Sequence, residues 1–204
     1  MMNAESTKNH QHQTLEYYSQ NAGMFISGTL SADMQATHAR FMAQLPRGAL
    51  ILDLGCGSGR DTKAFLDMGY QVEAMDGSAE LCAKASAYTG VPVKQMLFQD
   101  LDAISRYDGI WACASILHLP KAELTEVIGK IQNALVPGGV LYASFKYGEY
   151  EGMRKGRWFT DFTEGTLKDF IREATQMEMI DLWTTEDVRA DRKDERWINL
   201  LAQR

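Results

Sequence analysis

A chain of 204 residues, 45% hydrophobic and 24% charged, has the composition of a globular protein and enough length to bury one substantial core. Its net charge of −6 argues against a broad surface for nucleic acid or anionic membrane, and no apolar run reaches the ~20 residues of a membrane helix. Cys56, Cys82 and Cys113 are odd in number and form no C-x-x-C pair, which argues against a disulfide framework or zinc site and for reduced thiols in a cytoplasmic setting.

Residues 1–13, MMNAESTKNHQHQ, are polar throughout and are expected to be a disordered tail, with His10 and His12 solvated and no apolar leader segment. Residues 14–45 read as a helical cap: Leu15, Tyr18 and Ala22 share a face, SGTLSADM interrupts it, and Met34, Phe41, Met42 and Leu45 resume near-helical spacing. From residue 46 strands and helices alternate. ALILDL is a short buried strand, GRDTKAFLDMG a helix stopping at Gly69, and YQVEAMD a second strand. SAELCAKASAYTG is a helix from the N-cap Ser78 to Gly90, and VKQMLFQDL a third strand with its exit. YDGIWACASIL is a fourth, central strand. The helix from Pro120 to Leu135 carries Leu124, Val127, Ile128 and Ile131 on one stripe, and PGG precedes a fifth strand, VLYASFK. TEGTLKDFIREA is a helix capped by Thr163. MEMIDLWTT and WINLLAQ are two more strands, joined by EDVRADRKDER, whose mixed charges favour a solvated turn.

This alternation predicts an α/β fold: a doubly wound, mostly parallel seven-stranded sheet, with the last two strands as an antiparallel edge hairpin. One domain spans residues 14–204, divided into the cap (14–45), a ligand-binding half (46–146) and a remainder (147–204) for a second ligand. In such sheets ligands bind beyond the carboxyl ends of the strands, where strand order reverses, which singles out ILDLGCGSGR, residues 51–60. The dinucleotide fingerprint G-x-G-x-x-G would need glycine where Arg60 stands. Asp53, at the end of the strand, would repel a pyrophosphate and suit a cationic ligand; capping of the loop's own amides is the other reading.

LDLGCGSGR resembles the first motif of the class I S-adenosylmethionine-dependent methyltransferases, and the other strand ends resemble the family's later motifs in order. The resemblance covers roughly residues 14–204 and is nearest to small bacterial methyltransferases of the tellurite-resistance type. It implies the Rossmann-like methyltransferase fold, S-adenosylmethionine as cofactor and S-adenosylhomocysteine as product. In the glycine turn Gly55, Cys56 and Gly57 would approach the ligand closely. Arg60 would meet the methionine carboxylate or lie on the helix surface. Asp76, with Gly77 and Ser78 after it, would bind the ribose hydroxyls. Gln99, Asp100 and Leu101 would face the adenine, the Asp100 carboxylate meeting its amino group, while carbonyls near Ala112 and Cys113 would receive the ammonium. Tyr17, Tyr18 and Asn21 resemble the family's lid segment.

A sulfonium methyl is already activated, so a protein mainly orients the partners and excludes water; a base is needed only for a protonated acceptor. His118, directly after the fourth strand, is the candidate base, or else a histidine that bonds backbone at the next helix. KYGEYEGMRKGRWFTDFT, residues 146–163, reads as a loop in which Lys146, Arg157 and Trp158 meet an anionic or planar small molecule, or simply as solvated charge; Arg189 is a second contributor. The expected function is methyl transfer to a small-molecule acceptor, without nucleic acid, membrane or metal, by a monomer or homodimer. An RNA or protein methyltransferase, or a silent cofactor-binding module, are the alternatives.

Overall fold

The computed structural model describes residues 4–189, 192 and 194–204. Nine strands and seven α-helices occur among them. The main sheet contains β1 (Leu50–Leu54), β2 (Gln71–Asp76), β3 (Val93–Gln95), β4 (Tyr107–Ala112), β5 (Leu135–Lys146), β8 (Glu178–Glu186) and β9 (Arg196–Gln203). Its order is β3-β2-β1-β4-β5-β9-β8. The first five are mutually parallel, and β9 runs antiparallel to both β5 and β8. This is the doubly wound sheet with an antiparallel C-terminal hairpin that the alternation of elements predicts.

The central strands are apolar on both faces because helices cover both. On one face α6 (Lys121–Ala134) and α7 (Glu164–Ala174) pack through Leu124, Val127, Ile128, Ile131, Leu167 and Ile171. On the other, α3 (Gln35–Met42) and α4 (Arg60–Asp67) bring Phe41 and Phe65 against Ile51, Trp111 and Tyr142. Trp111 and Tyr142 stack with ring centroids 3.9 Å apart. Local chemistry places the helix ends. Ser78 accepts from the Leu81 amide at the start of α5 (Ala79–Thr89), Gly90 closes that helix with φ 80°, and Thr163 forms a capping box on α7.

Three expectations are corrected. The polar N-terminus is not a disordered tail: α1 runs Ala4–Gln20, and residues 1–3 lie outside the described residues. Tertiary contact holds it, since the buried His10 ring packs 4.8 Å from the Trp158 ring and Thr14 Oγ1 accepts from the Trp158 amide. The segment read as a loop from 146 to 163 contains a two-stranded hairpin, β6 (Glu151–Arg154) against β7 (Arg157–Thr160). Its two-residue turn places Lys155 and Gly156 at φ 51° and 78°, the positive values that a type I′ turn requires; Lys-Gly in place of Asn-Gly is a weak signal for it. The third strand stops at Gln95 and passes into a 3-10 turn, Phe98–Asp100. After α1, a short α2 (Ala22–Thr29) completes the cap. No described helix is long and apolar enough to cross a membrane.

Candidate active site

Strand order reverses between β1 and β4, and the turn from β1 into α4 lies at that point. Gly55, Gly57 and Gly59 all have positive φ. A Cβ at Gly55 would come within 2.5 Å of the Ser115 Cβ, and one at Gly57 within 2.9 Å of the Phe25 ring, so only glycine permits this approach. Asp76 ties the turn down. Its Oδ2 accepts from the Gly57 amide at 3.0 Å and its Oδ1 from the Ser78 amide at 2.9 Å. A carboxylate has about four acceptor positions, so acceptor capacity remains on a side chain that lines the cavity.

That cavity has a volume of ≈ 530 Å³. One end is bounded by Gly77, Leu97, Phe98 and Gln99, the middle by Gly55, Cys56, Gly57, Arg60 and Asp76, and the far end by Lys146, Asp187, Arg189 and Trp197. Tyr18, Phe25, Cys113, His118 and Arg157 line it between these, under α1 and the β6–β7 hairpin.

Eight of the expected site residues do not line it. Asp53 is buried at 2% exposure and takes its hydrogen bond from Thr62 Oγ1 at 2.5 Å, not from loop amides. Burial, then the charge of Asp61, push its carboxyl up to about 8, so it presents no anion to a ligand near neutral pH. A carboxyl whose native pKa lies above its unfolded one is neutral in both states below about pH 4 and destabilises progressively as pH rises toward 8. Asp53→Asn should therefore melt close to wild type near pH 4 and above it at pH 8.5; parallel melting curves across that range would refute the neutral acid.

Asp100 sits on the exposed side of the 3-10 turn, its amide bonded to the Leu97 carbonyl, while Leu101 is buried behind it. The turn rotates Phe98 and Gln99 inward instead. Ala112 is closed off within β4, and Cys113 just beyond it reaches the cavity. Ser78 is spent on capping α5 and contacts Ser19 Oγ at 3.0 Å. Asn21 Nδ2 donates to the Tyr17 carbonyl. Tyr17 lies beneath the Arg157 guanidinium, 4.3 Å from its ring centroid. The Trp158 side chain packs on His10 and donates to Thr160 Oγ1.

His118 is fixed from both sides. Nδ1 faces the Trp158 carbonyl at 2.6 Å, so it carries the proton; Nε2 then accepts from the Tyr18 hydroxyl at 2.7 Å. Burial lowers it to about 4 against the pull of the carbonyl bond, with Arg157 and Arg154 lowering it further. The imidazole is neutral at ordinary pH. Its backbone partner belongs to β7, not to the helix that follows it in sequence.

The sequence reading missed Asp61. Its buried carboxylate receives Arg60 Nε and Nη2 at 2.8 and 2.7 Å, His38 Nε2 at 2.9 Å and Trp111 Nε1 at 2.9 Å. Arg60 therefore lines the cavity with its charge already matched. The acidic residue in the first turn of α4 reads in sequence as a helix-dipole partner; only Trp111 and His38, from β4 and α3, make it the centre of a network. The loop read as a solvated turn is also corrected. Asp187 accepts from Arg189 at 2.6 and 2.8 Å and from Trp197 Nε1 at 3.0 Å, and Lys146 pairs with both Asp187 and Glu195. These contacts bring Asp187, Arg189 and Glu195 to the cavity's far end. Burial pushes the Cys113 thiol up to about 12 and that of Cys56 higher still, so neither is poised as a nucleophile. No cluster of three or more metal-ligating side chains occurs among the described residues.

Residues 51–139 match the family model of a methyltransferase domain. A ubiquinone biosynthesis O-methyltransferase of Xanthomonas axonopodis pv. citri is 33% identical over 106 residues, 48% of this chain and 44% of that protein. The chain spans less than half the length of the curated relatives it matches. The fold is that of the 1,6-didemethyltoxoflavin-N1-methyltransferase of Burkholderia thailandensis, solved with its substrate and S-adenosylhomocysteine. The TM-score is 0.82 at 23% identity, over 100% of this chain and 92% of that one. The [4+2]-cyclase SpnF aligns with a TM-score of 0.72 at 18% identity, over 93% of this chain and 94% of that one.

Proposed function

We propose that this chain is a class I S-adenosylmethionine-dependent methyltransferase that methylates a small-molecule acceptor, a reading supported by the methyltransferase domain matched over residues 51–139 and by the shared fold. One observation carries the reading: a single cavity runs from Asp76 and the glycine turn to Tyr18, His118 and Arg157. The glycine cradle and the remaining acceptor capacity of Asp76 fit an adenosyl ligand. Gly55, Cys56 and Gly57 would give it close approach, Asp76 and Gly77 its ribose contacts, and Phe98 and Gln99 a wall for its base. When bound, the cofactor supplies a sulfonium-activated methyl group. Tyr18, Arg157 and Lys146 orient the acceptor, Arg189 shapes its far end, and α1 with the hairpin excludes water.

Two named relatives support a small acceptor: one methylates in ubiquinone biosynthesis and the other methylates 1,6-didemethyltoxoflavin. The acceptor is accordingly organic, and the tellurite version of the reading is not adopted. His118 acts by holding Tyr18, because its only lone pair is already taken. A cytoplasmic setting is part of the proposal, from the three free cysteines.

Because the same fold also occurs in a cyclase, binding and turnover need separate readouts. At 100 times its dissociation constant a ligand stabilises a native state by ~2.7 kcal/mol, which for a chain of this size raises the melting temperature by about 5–10 °C. S-adenosylmethionine and S-adenosylhomocysteine should each produce that rise and NAD should not. A response to NAD alone would overturn the assignment. Release of S-adenosylhomocysteine in the presence of an acceptor then reports transfer.

A further inference from the structure

Resting on that reading, we propose that the acceptor is a planar small molecule with an acidic hydroxyl or ring N–H, bound as its preformed anion against Arg157. Its proton leaves to water before binding, since Tyr18 and His118 beside Arg157 are not free to take it. The attacking lone pair forms the new bond to the methyl carbon, the carbon–sulfur pair stays on sulfur, and an anion and a cation become two neutral products.

Charge matching together with burial singles out Arg157, since Lys155 and Arg196, which also lack a carboxylate partner among the described residues, are exposed to solvent. Arg60 is held by Asp61, Arg154 by Asp161, and Lys146 and Arg189 by Asp187. No carboxylate among the described residues pairs with Arg157. Its guanidinium lies between the rings of Tyr17 at 4.3 Å, Phe159 at 5.1 Å and Tyr18 at 5.7 Å. Its one hydrogen bond is a long one, Nη1 to the Tyr18 hydroxyl at 3.5 Å, and its Nε is buried with no hydrogen-bond partner. A cation desolvated by aromatic rings and left short of acceptors is a receptor for an anion. Tyr18, Phe25 and Phe159 make the same walls flat and apolar, which suits a delocalised charge.

The Tyr18 hydroxyl gives its hydrogen to His118 Nε2, and His118 Nδ1 gives its own to the Trp158 carbonyl, so the relay is closed on the protein. Asp61, Asp161 and Asp187 are each tied to an arginine. The groups facing Arg157 are Tyr17 and Tyr18 from α1, His118 before α6, and Arg154 across the hairpin. Arg157 keeps its charge at any working pH, leaving the acceptor as the partner that titrates. Methylation also removes the charge that Arg157 holds, which favours release of product.

Calorimetry on the complex with S-adenosylhomocysteine tests this, with 4-nitrophenol and the less acidic 4-cyanophenol as probes across pH 5.5–9.5. Each should bind more tightly as it ionises, with the two curves displaced by the difference in their acidities. Arg157→Gln should weaken the anions about tenfold or more, leave the neutral forms and the adenosyl ligand nearly unchanged, and be partly rescued by Arg157→Lys. Curves that share one midpoint would reveal a titrating protein group and overturn the proposal. So would equal weakening of neutral and ionised probes, or a complex that takes neither form. A protein that does not bind S-adenosylhomocysteine removes the methyltransferase reading itself, a result separable from all of these.

Discussion

Replacing Asp61 with alanine should lower the melting temperature by roughly 6–20 °C. The carboxylate is buried together with Arg60, and truncation strands that guanidinium, the His38 ring and the Trp111 N–H without their shared acceptor. Removing one partner of a buried ion pair costs about 3–5 kcal/mol, and each kcal/mol moves a chain of this length by about 2–4 °C. Substituting both members should be milder than the sum, because Arg60→Met in the Asp61→Ala background leaves no stranded charge. Strictly additive losses in that double variant would show that the pair is not the source of the effect. pH offers a second check. Burial alone would raise the Asp61 carboxyl, but Arg60 and His38 more than reverse this and hold it well below the ordinary carboxylate range. A native pKa below the unfolded one contributes stability that is present above about pH 4 and lost as pH falls below it. Wild type should therefore lose stability more steeply than Asp61→Ala below pH 4, so the gap between them narrows in acid. A gap that stays constant would remove the charge argument.

Asp76→Ala should weaken S-adenosylhomocysteine binding by about 100-fold to 10⁴-fold while the sheet persists. An acid at the end of the second strand, about 20 residues beyond the glycine turn, is where folds of this type receive ribose hydroxyls. A hydrogen bond to a charged group contributes about 1.5–3 kcal/mol, and losing two removes about 3–6 kcal/mol, each 1.4 kcal/mol being tenfold in affinity. The variant also frees the Gly57 and Ser78 amides, which loosens the cradle itself. Titration calorimetry reads the affinity, and far-ultraviolet circular dichroism shows whether the fold survives. Near wild-type affinity in a folded Asp76→Ala protein would place the ribose elsewhere.

Much of the site could be read along the chain, and the failures share one physical origin. Gly55, Gly57 and Asp76, which line the cavity, could be picked out because turn chemistry and strand ends are local properties. Asp53 and Asp100 do not line that cavity, because a one-residue difference in facing decides between cavity, core and solvent. At Asp53 the strand turns the carboxyl toward Thr62, and at Asp100 an early 3-10 turn swings it outward. The loop after β8 looked solvated because its charges are mixed; its partners are Lys146 and Trp197, on β5 and β9. The N-terminal segment looked like a tail because its polar composition hides that His10 and Thr14 meet Trp158.

The sequence by itself determined the succession of strands and helices that build the main sheet, the caps at Ser78, Gly90 and Thr163, and the glycine turn. All of these follow from side-chain periodicity and backbone preference within a few residues. Only the tertiary structure decided which charges are spent and which remain for a ligand. Asp61 meets Trp111 across 50 positions, and Tyr18 meets His118 across 100. Whether a buried charge is satisfied depends on partners that only the closed sheet brings within hydrogen-bond distance, and on that count Arg157 is left short of acceptors by its neighbours.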